Sequence, residues 1–178
     1  MASKTHVQID NPSVKSAEHF VRMVGNEDLL GMILVGPPGM GKTHMVEHTL
    51  EEMGVKYVKF GGHITLAKTY EFLFEHHSDL IFFDDCSQII NHTEILELLK
   101  QALQVTEKQR ILSYRSYGIN KETPKEFVFD GRIIMSFNTM DKTNPNVQAI
   151  LDRAPMIELR FSRDEVYKAM RQVAEGEG

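Results

Sequence analysis

Apolar positions in this chain follow two rhythms that take turns: stretches with apolar residues three and four apart, and short unbroken apolar runs. Val14, Ala17, Val21 and Val24 share one face of a predicted helix. Asn11-Pro12 can cap and open it, because proline is favoured at the first helical position, and Gly25-Asn26 ends it. Met32-Ile33-Leu34-Val35 reads as a buried strand. Met45, Val46, Thr49, Leu50 and Met53 return to helical spacing, with Gly54 placed to stop the helix. Val55 to Phe60 alternates in a β-rich composition that Gly61-Gly62 closes. Leu66, Tyr70, Leu73, Phe74 and His77 predict another helix, ended by Ser78-Asp79 ahead of the short strand Leu80-Ile81-Phe82-Phe83. Thr93 caps a helix carrying Ile95, Leu96, Leu99, Ala102 and Leu103, and Arg132 to Phe137 and Met156 to Leu159 are two further strands.

Five strands alternating with helices imply an α/β fold: three αβα layers around a five-stranded parallel sheet. Two short β runs, Ile111 to Tyr114 and Phe127 to Phe129, flank a polar segment with Gly118, Asn120 and Pro124, which predicts a β-hairpin insertion over residues 110–131. Ser162-Arg163-Asp164-Glu165 is a capping box, and Val166, Ala169, Met170 and Val173 continue it as a last helix over 162–178. The expectation is a single domain over residues 1–178, with no internal repeat or low-complexity tract.

Composition narrows the partners. The 178 residues carry 20 Lys and Arg against 25 Asp and Glu, a net charge of −5, so no global field draws the chain to nucleic acid or an anionic membrane. Any nucleic-acid contact must come from a local patch. The single cysteine, Cys86, excludes an internal disulfide, and no apolar stretch is long enough to span a membrane. A soluble cytoplasmic protein with no membrane partner is therefore expected. The scattered histidines, His76-His77 among them, lack metal-ligand spacing.

The chemistry begins directly behind the first strand. Gly36-Pro37-Pro38-Gly39-Met40-Gly41-Lys42-Thr43 fits G-x-x-x-x-G-K-[ST], a phosphate loop between strand and helix, with His44 next to it in the first helical turn. Glycines let backbone N–H groups turn toward phosphates, Lys42 supplies a charge to the β- and γ-phosphates, and the Thr43 hydroxyl reaches Mg²⁺. ATP and Mg²⁺ are the expected cofactors. Parallel sheets bind ligands at the carboxyl ends of their strands, so the residues leaving each strand belong together. Leu80 to Asp84 has the form of a Walker B strand whose first carboxylate helps hold Mg²⁺, and Asp85 would orient or deprotonate the attacking water. Asp85 is one methylene shorter than glutamate, which leaves open an exchange of roles with Asp84 or a slow turnover. Asn138, leaving the fourth strand, can donate to the γ-phosphate and accept from water. Arg153, ahead of the last strand, could stabilise charge on the γ-phosphate of an adjacent subunit. A salt bridge with Asp152 is the other use for that arginine.

In these residues the chain resembles the AAA+ ATPase family, with Gly36 to Thr43 as Walker A, Leu80 to Asp85 as Walker B, Asn138 as sensor 1 and Ala149-Ile150-Leu151-Asp152-Arg153 as the arginine-finger segment, over roughly residues 12 to 165. The Asp-Asp ending is similar to that of some replication-initiator members, and the general look is similar to small phage-encoded ATPases. The resemblance implies a P-loop NTPase core that assembles into rings or helical arrays, most often hexamers, with ATP at subunit boundaries and Arg153 acting in trans. Members usually continue into a helical lid with a sensor 2 arginine; here little or no lid is expected. Gly61-Gly62-His63-Ile64 stands where protein unfoldases carry an aromatic pore loop, which argues against threading polypeptides. The hairpin occupies the place of one seen in helicase-like members. Its Tyr114, Arg115, Tyr117, Lys121 and Lys125 could meet DNA, or the hairpin could pack on a neighbouring subunit. Coupling of ATP hydrolysis to a DNA transaction is the leading expectation, an ATP-dependent assembly scaffold the alternative, and a small-molecule kinase is disfavoured.

Overall fold

Side chains alternate between the two faces of a strand, and where both faces are apolar each strand needs a helical layer on either side. A computed structural model of the protein, which describes residues 11–60, 65–106, 109–114, 122–165 and 167, is built that way. In chain order the elements are α1 (Pro12–Gly25), β1 (Gly31–Val35), α2 (Lys42–Glu52), β2 (Tyr57–Phe60), α3 (Leu66–Glu75), β3 (Leu80–Phe83), a 3-10 helix (Cys86–Asn91), α4 (Thr93–Ala102), β4 (Ile111–Ser113), β5 (Glu126–Val128), β6 (Arg132–Phe137), α5 (Pro145–Leu151) and β7 (Met156–Glu158). Five strands make one parallel sheet in the order β2-β3-β6-β1-β7. Met32, Leu34, Phe82 and Ile134 pack against α1 and α2, whereas Ile33, Ile81, Phe83 and Met135 pack against α3, α4 and α5. The chain runs outward through α2 to the edge strand β2 and then back across the sheet, so right-handed crossovers put α2 on one face and the later helices on the other.

The helix ends follow local chemistry. The Asn11 carboxamide accepts from the amides of Ser13 and Val14 at 2.8 and 3.4 Å, with Pro12 at the first helical position. Its Nδ2 donates at 2.8 Å to both the Arg160 carbonyl and Glu165 Oε1, tying the start of α1 to the end of the described chain. Asn144-Pro145 repeats this arrangement at α5, a helix the apolar periodicity did not predict. Gly25 proves to be helical and buried beside Met53; the turn out of α1 is made by Glu27, with φ 71°. Thr93 begins α4 without capping it, since His92 holds the cap position and makes no side-chain bond there. β2 starts at Tyr57, later than expected, because the Val55 amide still donates to the Leu50 carbonyl across the Gly54 turn. The Ser162–Glu165 capping box forms, with Ser162 N donating to Glu165 Oε2 at 2.7 Å. Gly61 to Ile64, and Val166 and Ala169 onward in the predicted last helix, lie outside the described residues.

β4 and β5 form the antiparallel hairpin, pairing Ile111 with Val128 and Ser113 with Glu126. Its anchor is Tyr70 of α3, fully buried, whose hydroxyl donates to the Pro124 carbonyl at 2.9 Å and whose ring meets those of Tyr114 and Phe127. Burial first, and then the Glu126 charge, push the Tyr70 hydroxyl from 10.0 up to about 12. The neutral phenol is what the fold stabilises, so its contribution is complete below the ordinary value and falls as pH rises toward 12, where the unfolded chain ionises first. Tyr70→Phe should cost about 1 kcal/mol in denaturant unfolding at neutral pH, and the gap from the unsubstituted chain should narrow above about pH 10.

Candidate nucleotide site

The loop after β1 has the conformation its glycines permit. Gly39 and Gly41 hold φ of 78° and 71°, a region that side chains with a Cβ disfavour. Gly41 precedes α2 as its N-cap and offers no side-chain acceptor, so no side chain caps the first N–H groups of an 11-residue helix, which point past the loop. Gly36 anchors the entry by donating its N–H to the Phe137 carbonyl of β6 at 3.1 Å. Pro37, Pro38 and Gly39 are exposed and Met40 is half-buried.

Lys42 opens α2 and folds back under the loop. Only 7% exposed, its ammonium donates to the carbonyls of Gly36 and Pro37 at 2.6 and 2.9 Å and to Asn138 Oδ1 at 3.0 Å, which occupies its three protons. Burial pulls the Lys42 pKa down, against the opposing charges of Asp85 and Asp84.

Asp84 leaves β3 on the same face as Leu80 and Phe82, and donors surround its carboxylate. The Thr43 hydroxyl lies 2.9 Å from both oxygens, the Ser136 hydroxyl donates to Oδ1 at 2.9 Å, and the Lys59 ammonium of β2 sits 2.9 Å from Oδ2. Burial pushes this carboxyl up, but the hydrogen bonds from Lys59, Ser136 and Thr43, with the Lys59 charge, hold it below its ordinary value. Asp85 takes the other direction. Its backbone is left-handed, φ 51° and ψ 59°, which turns its side chain toward Asn138 and Ser87; Oδ1 accepts from Asn138 Nδ2 at 2.9 Å and from Ser87 Oγ at 3.0 Å. Aspartate is one of the few residues that enter this region readily, which explains why the position carries Asp in spite of its short reach. Asn138 thus bridges Lys42 and Asp85 through the two ends of one amide.

Lys42, Thr43, Asp84, Asp85 and Asn138, drawn from three different strand ends, therefore meet in one network. Sequence reasoning missed Lys59, Ser136 and Ser87. Ser136 had a signal, a fully buried hydroxyl inside the apolar strand Ile133 to Phe137. His44 is exposed, its ring 5.7 Å from that of His48. Arg153 does not join the network. Its Nε donates to Gln104 Oε1 at 3.0 Å and its Nη1 to the Ala149 carbonyl, rather than pairing with Asp152, and it lines a cleft with Leu30, Gly31, Asp130 and Pro155 at the amino ends of the strands.

The hydroxyl and carboxylate of Thr43 and Asp84 suit Mg²⁺, a cation that keeps most of its waters and takes one or two protein oxygens beside substrate phosphates. Such a site needs no cage, and among the described residues no three His, Cys, Asp or Glu side chains gather as one. Residues 32–159 match the family model described as the ATPase family associated with various cellular activities (AAA). The chain belongs to this family. A comparison with curated proteins returns no match. The AAA match runs from β1 through the phosphate loop, the hairpin and α5 to the residue after β7. In the described residues of this AAA ATPase no helix is long and apolar enough to cross a membrane.

The hairpin residues expected to meet DNA differ in their surroundings. Tyr114, half-buried, packs its ring 5.3 Å from that of Tyr70 as part of the anchor, while Lys125 is exposed and Arg115, Tyr117 and Lys121 lie outside the described residues.

The backbone at position 85 supplies a test by stability. Asp85→Asn keeps the left-handed preference and the Oδ1 acceptor and should unfold within about 0.5 kcal/mol of the unsubstituted chain. Asp85→Ala forfeits both and should lose roughly 1–2 kcal/mol in the same denaturant titration.

Proposed function

We propose that this AAA protein binds ATP with Mg²⁺ in the loop from Gly36 to Thr43 and hydrolyses it at the boundary between two copies of the chain, using the cycle to remodel a macromolecule. The loop amides and Lys42 bind the phosphates; Thr43 and Asp84 hold the metal side. Bound Mg²⁺ neutralises charge on the phosphate oxygens and so favours phosphoryl transfer to water. Asp85 accepts the water's proton, Asn138 orients that water, and the Arg153 guanidinium of an adjacent copy meets the charge that develops. What supports this is one observation above the others: Asn138 accepts from Lys42 and donates to Asp85, so the phosphate-binding cation and the proposed base are held in register by a single side chain. The assembly we propose is a ring or helix, a hexamer first; family membership and the separation of Arg153 from its own loop support self-association. DNA, through Lys125 and the hairpin segment 110–131, is the partner we propose to test first.

A weakly hydrolysing assembly scaffold has its own support, since Asp85 Oδ1 is already engaged by both Asn138 and Ser87. Turnover with and without DNA, measured for the unsubstituted chain and Asp85→Ala, separates the two: a remodelling ATPase loses its rate in the variant, whereas a scaffold assembles on ATP with negligible turnover in both.

Lys42→Ala should weaken ATP binding at least about tenfold by calorimetry, the loss of a charge-assisted contact. Arg153→Ala should spare binding and lower hydrolysis by about 10³ to 10⁵. Mixing the two variants should restore part of the rate at mixed boundaries, and absence of recovery in co-assembled material would remove the trans role.

A further inference from the structure

The Asp84 carboxylate has about four acceptor positions, and three donors gather on it: the Thr43 hydroxyl, with one proton to give, lies within reach of both oxygens, Ser136 adds a bond at Oδ1 and Lys59 an ion pair at Oδ2. A cation that approaches Oδ2 meets the Lys59 ammonium already there. The three donors differ in where else they can go. Thr43 is itself on the metal side of the proposed site. Ser136 is fixed, buried in β6, with its oxygen accepting the Asp85 amide at 2.9 Å. Lys59 alone has a second anion at hand. Its ammonium lies 3.0 Å from Glu47 Oε1 of α2, as close as to Asp84, and its stem passes the Phe82 ring with the ammonium 5.5 Å from the ring centre.

The surroundings hold Lys59 as a cation. Burial would lower its pKa, but the bonds to Asp84 and Glu47 keep it above the ordinary 10.5. Its side chain is 39% exposed, that of Glu47 30% and that of Asp84 19%, so the more solvated berth is on Glu47 and the drier one on Asp84. A cation in direct contact with that carboxylate repels an arriving dication, and at such separations the repulsion is a matter of kcal/mol.

We infer that Lys59 is an internal counter-cation that occupies Asp84 in the absence of metal and exchanges with Mg²⁺ by withdrawing onto Glu47, so that the Lys59–Glu47 pair sets the Mg²⁺ concentration at which the site takes up Mg²⁺-nucleotide. This rests on the nucleotide site proposed above. Lys59 is a positioning residue here: it acts through Asp84 and touches no reacting atom. Glu47 determines how readily it leaves.

The two partners give opposite signs, which a merely structural role does not. A fluorescent non-hydrolysable ATP analogue is titrated with Mg²⁺ on the full chain, and the Mg²⁺ concentration for half-maximal binding is read. Lys59→Met, which keeps the stem over Phe82, should lower that midpoint by about threefold or more, and Glu47→Gln should raise it by a similar factor, the scale of a partly exposed ion pair. Lys59→Arg should restore a midpoint near that of the unsubstituted chain. Circular dichroism melting confirms that each variant is folded; a Lys59→Met chain that does not fold leaves Glu47→Gln to decide, with an unmoved midpoint counting against the exchange. Unmoved midpoints in both variants, or shifts in the same direction, overturn the inference and leave the nucleotide site standing. An unsubstituted chain that binds the analogue at no Mg²⁺ concentration overturns both.

Discussion

A strand covered by helices on both faces has only its ends in which to keep a polar side chain. That constraint governs this protein: β1, β3 and β6 are buried along almost their whole length, and their chemistry is displaced to the residues that leave them, Gly36 to Thr43, Asp84-Asp85 and Asn138. Parallel pairing then does the alignment. With Phe83 opposite Met135 and Val35 opposite Phe137, the exits of β1 and β6 are level and that of β3 falls two residues short of them, close enough for side chains remote in sequence to come within hydrogen-bond distance. Ser136 is the exception within a strand, and it survives there because a donor to Asp84 and an acceptor from the Asp85 amide satisfy it completely.

The charges gathered at that level neutralise one another internally. Lys42 spends its protons on two carbonyls and an amide, and Asp84 draws on two hydroxyls and a lysine. Carbonyls are weaker acceptors than phosphate oxygens, and a lysine is a weaker partner for a carboxylate than a divalent metal. Each internal contact therefore keeps a charged group satisfied in a half-buried setting while leaving a better partner for it outside the chain. Leaving either group unsatisfied would cost more than a neutral surface contact, which accounts for the dense network around five residues.

How much of this was legible in the sequence depends on the kind of signal. The phosphate loop and the strands were, because glycine spacing and apolar runs are local and each has one physical cause. Helix α5 was missed although Asn144-Pro145 repeats the cap at Asn11-Pro12, since its seven residues are too few to establish a periodicity. The ends of α1 and the start of β2 shifted for reasons that lie in three dimensions: Gly25 is needed small against Met53, so the left-handed turn falls to Glu27, and Val55 is held back by the Leu50 carbonyl. The partners of Asp84 illustrate the limit. Lys59 sits 25 residues before it and Ser136 lies 52 after it; only strand order makes them neighbours. The sequence shows Asp85 as a short acid after a strand; its left-handed backbone, which no local pattern announces, comes from the structure.

The position of Arg153 constrains the proposed assembly more than any motif does. It stands with Gly31 and Leu30 at the amino end of the sheet, whereas the loop begins at Gly36, beyond the five residues of β1. At about 3.3 Å per residue that is roughly 16 Å, along a strand hydrogen-bonded on both sides and packed on both faces. A rotamer change of one arginine does not cover that distance, and hinge motion within a five-stranded sheet would break the pairing that aligns the site. An arginine that acts on a triphosphate from this position acts on one held by another copy of the chain, so catalysis by Arg153 and self-association stand or fall together.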